Sequence, residues 1–378
     1  MNSGTVYQRP DDPYIYLLVM GEWYCYDPTS TPLGSGAMGT VYIGYRIKDG
    51  TRMAIKRVKD RYSNNPMIRE RAKQEASLAF RHNNLVEMIG YCEYAPDKGP
   101  IFLVSKYVSG KNIDEYAKEF LNGNDRVEKI CNAVFQVLDA LEYIHSRGVI
   151  HRDIKPSNIM VESDSNIRLM DLGIARMNDG NKFSQYGFIG TPQYAAPEQI
   201  LRDKTRTVQI NAATDLYALG ITLYEILAGV NPFDSDTEVD TLTRQIRETL
   251  PPHDAIPKRV MNVIAKATEK EQSKRFQTSD EFRKALKDAL LPQKSTFQRF
   301  KEWLGINLIR QFKTPDFLTG FAESRIGGRS ENQDSYECSD SPYGFVVAVC
   351  DGMGGGPGGK TASSIAVNEI ISGIKEGN

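Results

Sequence analysis

Residues 125–158 read DRVEKICNAVFQVLDALEYIHSRGVIHRDIKPSN, and their pattern decides the fold. Val127, Ile130, Val134, Val137, Leu138, Leu141 and Ile144 recur at the spacing of one helical face, and Gly148 closes the helix. The chain before this helix is mostly strand-like. "TVYIGYRI" (40–47), the turn Lys48-Asp49-Gly50 and "RMAIKRV" (52–58) predict a β-hairpin, and "GPIFLVSKYV" (99–108) restores strand character after a helical stretch at 67–80. The chain after it is mostly helical. "DLYALGITLYEILAG" (215–229) is apolar almost throughout and reads as a buried helix ended by Gly229, while Thr278 and Glu281 have capping-box spacing for a helix that Pro292 terminates. Strands first and helices second imply the two lobes of an α+β fold, with a cleft between them.

Composition narrows the function classes. Lys plus Arg number 47 against 48 Asp plus Glu, with 40% hydrophobic and 25% charged residues, the mixture of an ordinary soluble globular protein. Such a balance names no partner and argues against a nucleic-acid binder. Cys25, Cys92, Cys131, Cys338 and Cys350 are odd in number and never spaced Cys-x-x-Cys, against a disulfide framework or a zinc site and in favour of a reducing, cytoplasmic setting. The apolar run 14–20 lacks the flanks of a signal peptide, and no stretch approaches the roughly 20 apolar residues of a membrane span.

Two stretches ahead of the long helix carry chemistry. Leu33-Gly34-Ser35-Gly36-Ala37-Met38-Gly39-Thr40-Val41 is a Gly-x-Gly-x-x-Gly flanked by apolar residues. Its glycines run into an alternating strand rather than a helix, which favours a phosphate-covering hairpin over a dinucleotide turn; a Gly-rich hairpin without a ligand is the bland alternative. Ala54-Ile55-Lys56 puts a lysine on an otherwise apolar strand, where a buried ammonium needs an anionic partner. Glu75 in the helical stretch is the candidate partner and Glu70 the second choice; a surface lysine with a buried stem is the alternative.

Behind the helix stand His151-Arg152-Asp153-Ile154-Lys155-Pro156-Ser157-Asn158 and Asp171-Leu172-Gly173. Gly190-Thr191-Pro192-x-Tyr194-x-Ala196-Pro197-Glu198, Asp215-x-Tyr217-x-x-Gly220 and Arg275 follow. With these motifs in this order, residues 23–291 resemble the bacterial branch of the Hanks-type (eukaryotic-like) Ser/Thr protein kinases, themselves the standard template for phosphoryl transfer. The resemblance implies a two-lobed kinase fold over residues 22–292 that moves the γ-phosphate of Mg-ATP to Ser/Thr hydroxyls of proteins. It gives Asp153 the role of catalytic carboxylate and Lys155 that of neutralising the γ-phosphate, with Thr191 and Lys155 together marking Ser/Thr specificity. Lys56, held by Glu75, would reach the α- and β-phosphates under the loop of Gly34, Ser35, Gly36 and Gly39. Asn158 and Asp171 would hold Mg²⁺. Leu33, Val41, Ala54 and Met160 would enclose the adenine, whose polar edge meets the backbone of Lys106 and Val108. His82 and His151 read as packing residues, and Glu198 with Arg275 as a buried ion pair. Ser105 and Lys106 at the mouth of the adenine pocket, and Leu172 in place of the commoner Phe, are departures that leave the chemistry intact. Arg152 beside Asp153 could pair with a phosphorylated loop residue, with Ser184 the expected autophosphorylation site. A phosphorylation-independent pseudokinase scaffold is the alternative class.

The remaining chain divides into an N-terminal extension (1–21), a linker (293–318) and a C-terminal segment (319–378). In the linker Phe297, Phe300, Trp303, Leu304, Leu308 and Phe312 lie near one helical face among basic residues. A basic amphipathic helix over 296–313 can lie on a membrane surface, though packing on its own protein is the preferred reading. "GRSENQDS" and, after the apolar "YGFVVAVC", Asp351-Gly352-Met353-Gly354-Gly355 resemble the opening of the metal-dependent Ser/Thr phosphatases of the 2C type. That resemblance implies Asp334, Asp351 and the Gly352 carbonyl as ligands of Mg²⁺ or Mn²⁺, with Arg329 on a substrate phosphate. Two-metal hydrolysis needs carboxylates on both sides of the ion pair, and the family's downstream acidic residues are missing, so the segment reads as truncated, or as part of a bifunctional kinase-phosphatase. The chain is therefore expected not to turn over p-nitrophenyl phosphate with Mn²⁺; turnover abolished by Asp351→Ala would contradict this.

Overall fold

The computed structural model describes residues 5–36, 39–63, 65–77, 80–95, 99–121, 123, 125–171, 191–201, 209–291, 335–341, 344–350 and 359–375. They fall into two units, 1–291 and 292–378. The first unit opens with β1 (Val6–Gln8), β2 (Ile15–Val19), β3 (Glu22–Tyr26), β4 (Gly34–Ser35), β5 (Gly39–Arg46) and β6 (Arg52–Val58). After α1 (Asp60–Ser63) and α2 (Pro66–Ser77) come β7 (Met88–Glu93) and β8 (Ile101–Lys106). These strands form one antiparallel sheet in the order β1-β2-β3-β5-β6-β8-β7, with β4 paired to β5. The predicted hairpin is β5 and β6. Asp49 holds its turn by accepting from the Thr51 amide at 3.1 Å and from Arg46, and Gly50 takes the left-handed φ of +69° that the turn requires.

Alternation along β6 gives the sheet two different faces. Met53 and Ile55 join Leu17, Tyr26, Phe102 and Val104 in one apolar core. Val58, two residues beyond Lys56, packs with Ile101, Leu103 and Ala72 of α2. Lys56 thus emerges on the α2 side of the sheet.

The structure corrects the N-terminal boundary. Residues 1–21 were set apart as an extension, yet β2 pairs with β3 over Ile15↔Tyr26 to Val19↔Glu22, and Leu17 and Val19 are buried. The sheet also curls until β2 reaches β7: a Cβ placed on Gly90 would come within 2.8 Å of Val19 Cγ1. The run 14–20 is short and apolar without alternation, because Leu17 and Val19 enter the core while Tyr16 and Leu18 are still half-buried, so no period marks it as a strand.

The larger lobe contains α3 (Ile113–Lys118), α4 (Arg126–His145), α5 (Pro197–Ile200), α6 (Ala212–Ala228), α7 (Glu238–Arg247), α8 (Lys258–Ala267) and α9 (Ser279–Leu290). A small sheet, β11-β10-β9, is made from β9 (Gly110–Asn112), β10 (Ile159–Glu162) and β11 (Ile167–Leu169). The predicted face of α4 is the buried one, with Ile130, Val134, Val137, Leu138, Leu141 and Ile144 fully enclosed. α6 is buried along nearly its whole length and ends at Gly229 in the left-handed conformation. Gly220 lets α6 approach α8, where a Cβ would come within 2.8 Å of Thr268 Cγ2. The start of α9 departs from a full capping box. Thr278 accepts from the Glu281 amide, but the Glu281 carboxylate accepts from Gln277 N rather than from Thr278.

In the second unit β12 (Ser335–Ser341) and β13 (Gly344–Cys350) form a hairpin, and α10 (Gly359–Lys375) covers it through Ala348, Val367 and Ile371. The linker 293–318 and Arg329, Asp334, Asp351 and Gly352 lie outside the described residues. Among the described residues no helix is long and apolar enough to cross a membrane.

Because Leu17 is fully buried in the strand core, Leu17→Ala should destabilise the first unit by about 2–5 kcal/mol. Urea denaturation followed by tryptophan fluorescence measures this; a loss below about 0.5 kcal/mol would show that β2 is peripheral.

Candidate active site

A single buried carboxylate fixes the loop between α4 and β10. Asn211 caps α6 by accepting from Ala213 N at 2.9 Å, which sets Asp215 in the first turn, where the helix dipole favours an anion. Asp215 is fully buried. Its Oδ2 accepts from His151 N at 2.8 Å and lies 2.7 Å from His145 Nε2, while its Oδ1 accepts from Arg152 N at 2.7 Å. Burial alone would push this carboxyl up, but the hydrogen bond and charge of His145, with His151 and the Arg152 amide, hold it below its ordinary value.

The His151 side chain completes the turn. Its Nδ1 accepts from Asp153 N at 3.3 Å and its Nε2 donates to the Met170 carbonyl at 2.9 Å, which joins the loop to the strand leading to Asp171. Those two contacts define a neutral imidazole protonated on Nε2. Burial holds its pKa below the usual histidine value. Arg152 and Asp171 adopt left-handed φ values of 66° and 48°, a strained backbone that the surrounding bonds maintain.

Four of the predicted residues converge. Lys155 Nζ lies 3.1 Å from Asp153 Oδ2 and donates to Thr191 Oγ1 at 2.9 Å, and that hydroxyl donates to Asp153 Oδ1 at 3.2 Å. Asn158 Nδ2 donates to the Asp153 carbonyl at 2.7 Å and to Asp153 Oδ2 at 3.1 Å. With the amide nitrogen so engaged, Asn158 Oδ1 is its atom suited to a cation, and Met170 N donating to Asn158 O at 2.8 Å keeps Asp171 nearby. A carboxylate and an amide oxygen suit a hard cation such as Mg²⁺, which keeps waters and shares ligands with phosphate.

Lys56 reaches this cluster from the other lobe, pairing through Nζ with Asp171 Oδ2 at 3.0 Å. The predicted partner Glu75 lies in α2 with its side chain outside the described set, and Glu70 is exposed. Lys56 sits opposite Val41 and Ala54 opposite Ser105 in the sheet register. Leu33 N donates to Val41 O at 2.8 Å and Gly36 N to Gly39 O at 2.9 Å, so the Gly-rich stretch is a tight hairpin above them. Gly39 is dictated by packing, since a Cβ would lie 2.7 Å from Arg57 O. Gly34 and Gly36 meet nothing within 4 Å and have ordinary φ, so neither packing nor backbone conformation calls for glycine there. Met160 and Val108 are half-buried, and Lys106 N donates to Glu87 O at 2.9 Å.

Sequence reasoning listed Asp215 without a role and overlooked His145. The available signal was a carboxylate at the start of an otherwise apolar helix. Glu198 and Arg275 form the expected buried pair, with two bonds of 2.8 and 2.9 Å. Ser184 lies outside the described residues.

Comparison with known proteins agrees with this geometry. The family model described as protein kinase domain matches residues 29–289. A probable serine/threonine-protein kinase of Clostridium perfringens is 33% identical over 66% of this chain and 36% of its own length. The serine/threonine-protein kinase PknB of Mycobacterium leprae is 32% identical over 66% of this chain and 41% of its own. The chain thus spans well under half the length of these relatives. The crystal structure of the Mycobacterium tuberculosis PknI kinase domain superposes with a TM-score of 0.52 at 25% identity, over 70% of this chain and 96% of that one.

The buried imidazole predicts a pH dependence. A histidine whose folded pKa lies below its unfolded value of about 6.5 contributes stability that is present above that pH and is lost as pH falls through the folded value. Stability to urea should therefore decline from pH 7 to pH 5, and His151→Leu should shrink the difference; an unchanged difference would remove His151 as its source.

Proposed function

The chain belongs to the protein kinase family, and we propose that it is a Ser/Thr protein kinase transferring the γ-phosphate of ATP to protein hydroxyls. The observation that carries this reading is the bonded cluster of Asp153, Lys155, Thr191 and Asn158, joined by the Lys56–Asp171 pair. Asp153 is the only carboxylate in that cluster with a hydroxyl already bonded to it, and Thr191 Oγ1 shows that an alcohol can donate to Asp153 Oδ1. A substrate hydroxyl meeting the same oxygen is oriented for attack and loses its proton to the carboxylate. Lys155, within 3.1 Å of the same carboxylate, keeps a positive charge where the transferred group gathers negative charge. Asn158 and Asp171 would hold Mg²⁺, which would supply neutralisation of the phosphate oxygens. Lys56 holds the phosphates under the Gly34–Gly36 backbone, and Val41, Ala54 and Met160 face the base.

Regulation is proposed through residues 172–190. A phosphate on Ser184 adds about −1.5 to −2 charges within the segment that leads to Thr191, and Arg152, next to Asp153, is its natural cation. Residues 319–378 are proposed as a phosphatase-like segment without activity of its own, on the Asp334 and Asp351 motifs alone.

Asp153→Asn should retain ATP binding while lowering turnover about 10²- to 10⁴-fold, measured as phosphate incorporation into a generic Ser/Thr substrate. A variant keeping more than half the activity would refute the role. A phosphosite map of the active protein should show Ser184 modified and should lose that site in Asp153→Asn.

A further inference from the structure

Lys270 is a half-buried lysine outside the catalytic cluster. It follows α8, and its Nζ lies 4.0 Å from the Phe233 ring centroid and donates to Tyr217 Oη at 2.9 Å. Tyr217, fully buried on α6, donates in turn to Gln245 Oε1 at 2.5 Å. Gln245, fully buried on α7, donates through Nε2 to the carbonyls of Gln193 at 2.5 Å and Pro192 at 3.3 Å. Those carbonyls directly follow Thr191, whose hydroxyl touches Asp153. A continuous polar relay therefore runs from Lys270 to the backbone beside the catalytic carboxylate, through residues with no contact to the reacting groups.

We propose that Lys270 is a positioning residue for the protein substrate, acting through Tyr217 and Gln245 on the carbonyls of Pro192 and Gln193. The proposal rests on the kinase reading. Its logic is one of donors and acceptors. An ammonium cannot accept, so Tyr217 must turn its hydroxyl proton to Gln245 Oε1, and the Gln245 amide nitrogen is then held toward the two carbonyls. A neutral amine offers a lone pair that competes for the Tyr217 proton, and Gln245 loses the donor that orients it.

The surroundings put this choice within reach of ordinary pH. Burial, and then the charge of Arg275, lower the Lys270 pKa to about 7, against the opposing pull of Glu248 and Glu269. Arg275 is itself paired with Glu198, and Tyr217, pushed far up chiefly by burial, remains a donor throughout. Asp234, which accepts from Gln193 Nε2 at 3.2 Å, and Glu225, which accepts from Tyr194 Oη at 2.7 Å, are further charged neighbours of the segment.

The test uses the full chain in wild-type, Gln245→Glu and Lys270→Met forms, each checked for an intact thermal transition. Gln245→Glu keeps an acceptor for Tyr217 and removes the donor to the carbonyls. Gln245→Glu should raise KM for a peptide substrate roughly tenfold, the equivalent of about one lost hydrogen bond, with KM for ATP changed less than twofold, whereas Lys270→Met, which offers Tyr217 no competing lone pair, should keep the low value. In the wild type KM for the peptide should rise several-fold as pH climbs through about 7, and Lys270→Met should stay at the low value without that inflection. An unchanged peptide KM in folded Gln245→Glu, a flat wild-type profile, or an inflection that persists in Lys270→Met would overturn the proposal. Hydrogen exchange of the amides at 191–195 provides a readout independent of turnover: faster exchange in Gln245→Glu, and a rise above pH 7 in the wild type that Lys270→Met lacks, supports the relay, and identical exchange in all three overturns it. If the wild type incorporates no phosphate at all, the kinase reading fails and the exchange result still decides whether Lys270 positions this segment.

Discussion

The Asp215 carboxylate is the constraint on which the rest of the site depends. A loop that must present Asp153, Lys155 and Asn158 in one place cannot be built from regular structure, because its backbone groups then have no ladder or helix to satisfy them. Asp215 solves this by accepting from two consecutive amides, His151 and Arg152, from inside the larger lobe. Hydrogen bonds to a charged group are worth about 1.5–3 kcal/mol each, enough to hold Arg152 at a φ of 66°. The charge is tolerated because the first turn of α6, the His145 ring and two amides surround it. Gly220 lets the same helix lie against α8, where a side chain would strike Thr268.

A buried ion pair acts elsewhere in the same lobe. Arg275 and Glu198 bond twice, Thr214 donates to Glu198 Oε1 at 2.8 Å, and Gln272 Nε2 donates to the same oxygen at 3.1 Å. A buried pair of this kind adds little net stability compared with an apolar replacement, but losing either partner leaves an uncompensated charge. Its effect here is geometric. It ties α5, which closes the segment after Thr191, to α6 and to the chain before α9, so that both flanks of the catalytic loop are referenced to one helix.

Much of this was legible in the sequence, for stated reasons. The face of α4, the β5–β6 hairpin and the end of α6 follow from periodicity, turn chemistry and a C-terminal glycine. Asp153, Lys155, Asn158 and Asp171 stand in short motifs, and the structure brings them together because the segment between β10 and Asp171 is only a tight hairpin. What escaped the reading lacks a local signature. β2 is an unalternating apolar run whose strand character is decided by pairing with β3 and by the approach to β7. His145 looks like the last residue of an amphipathic helix, and only the distant Asp215 gives it a role. Gln245 on α7 belongs to the same class, since a glutamine on a polar surface helix shows nothing of its burial.

The two lobes meet chemically at Lys56 and Asp171. Each is a poor candidate for its position alone: an ammonium at the end of an apolar strand pattern, and a carboxylate on a left-handed backbone with φ of 48°. At 3.0 Å they neutralise one another while remaining partly solvated, with 23% and 43% of their side chains exposed. A pair so exposed contributes little to stability, so its placement is not explained by folding. What the contact does is hold a cation and an anion together at one point of the cleft. On the proposed reading, Lys56 would turn to the phosphate oxygens of an entering nucleotide and Asp171 would hold its cation, so that an external neutralisation would replace the internal one. The site therefore carries compensated charges of both signs before its ligand arrives, and that arrangement suits a ligand that brings both signs with it.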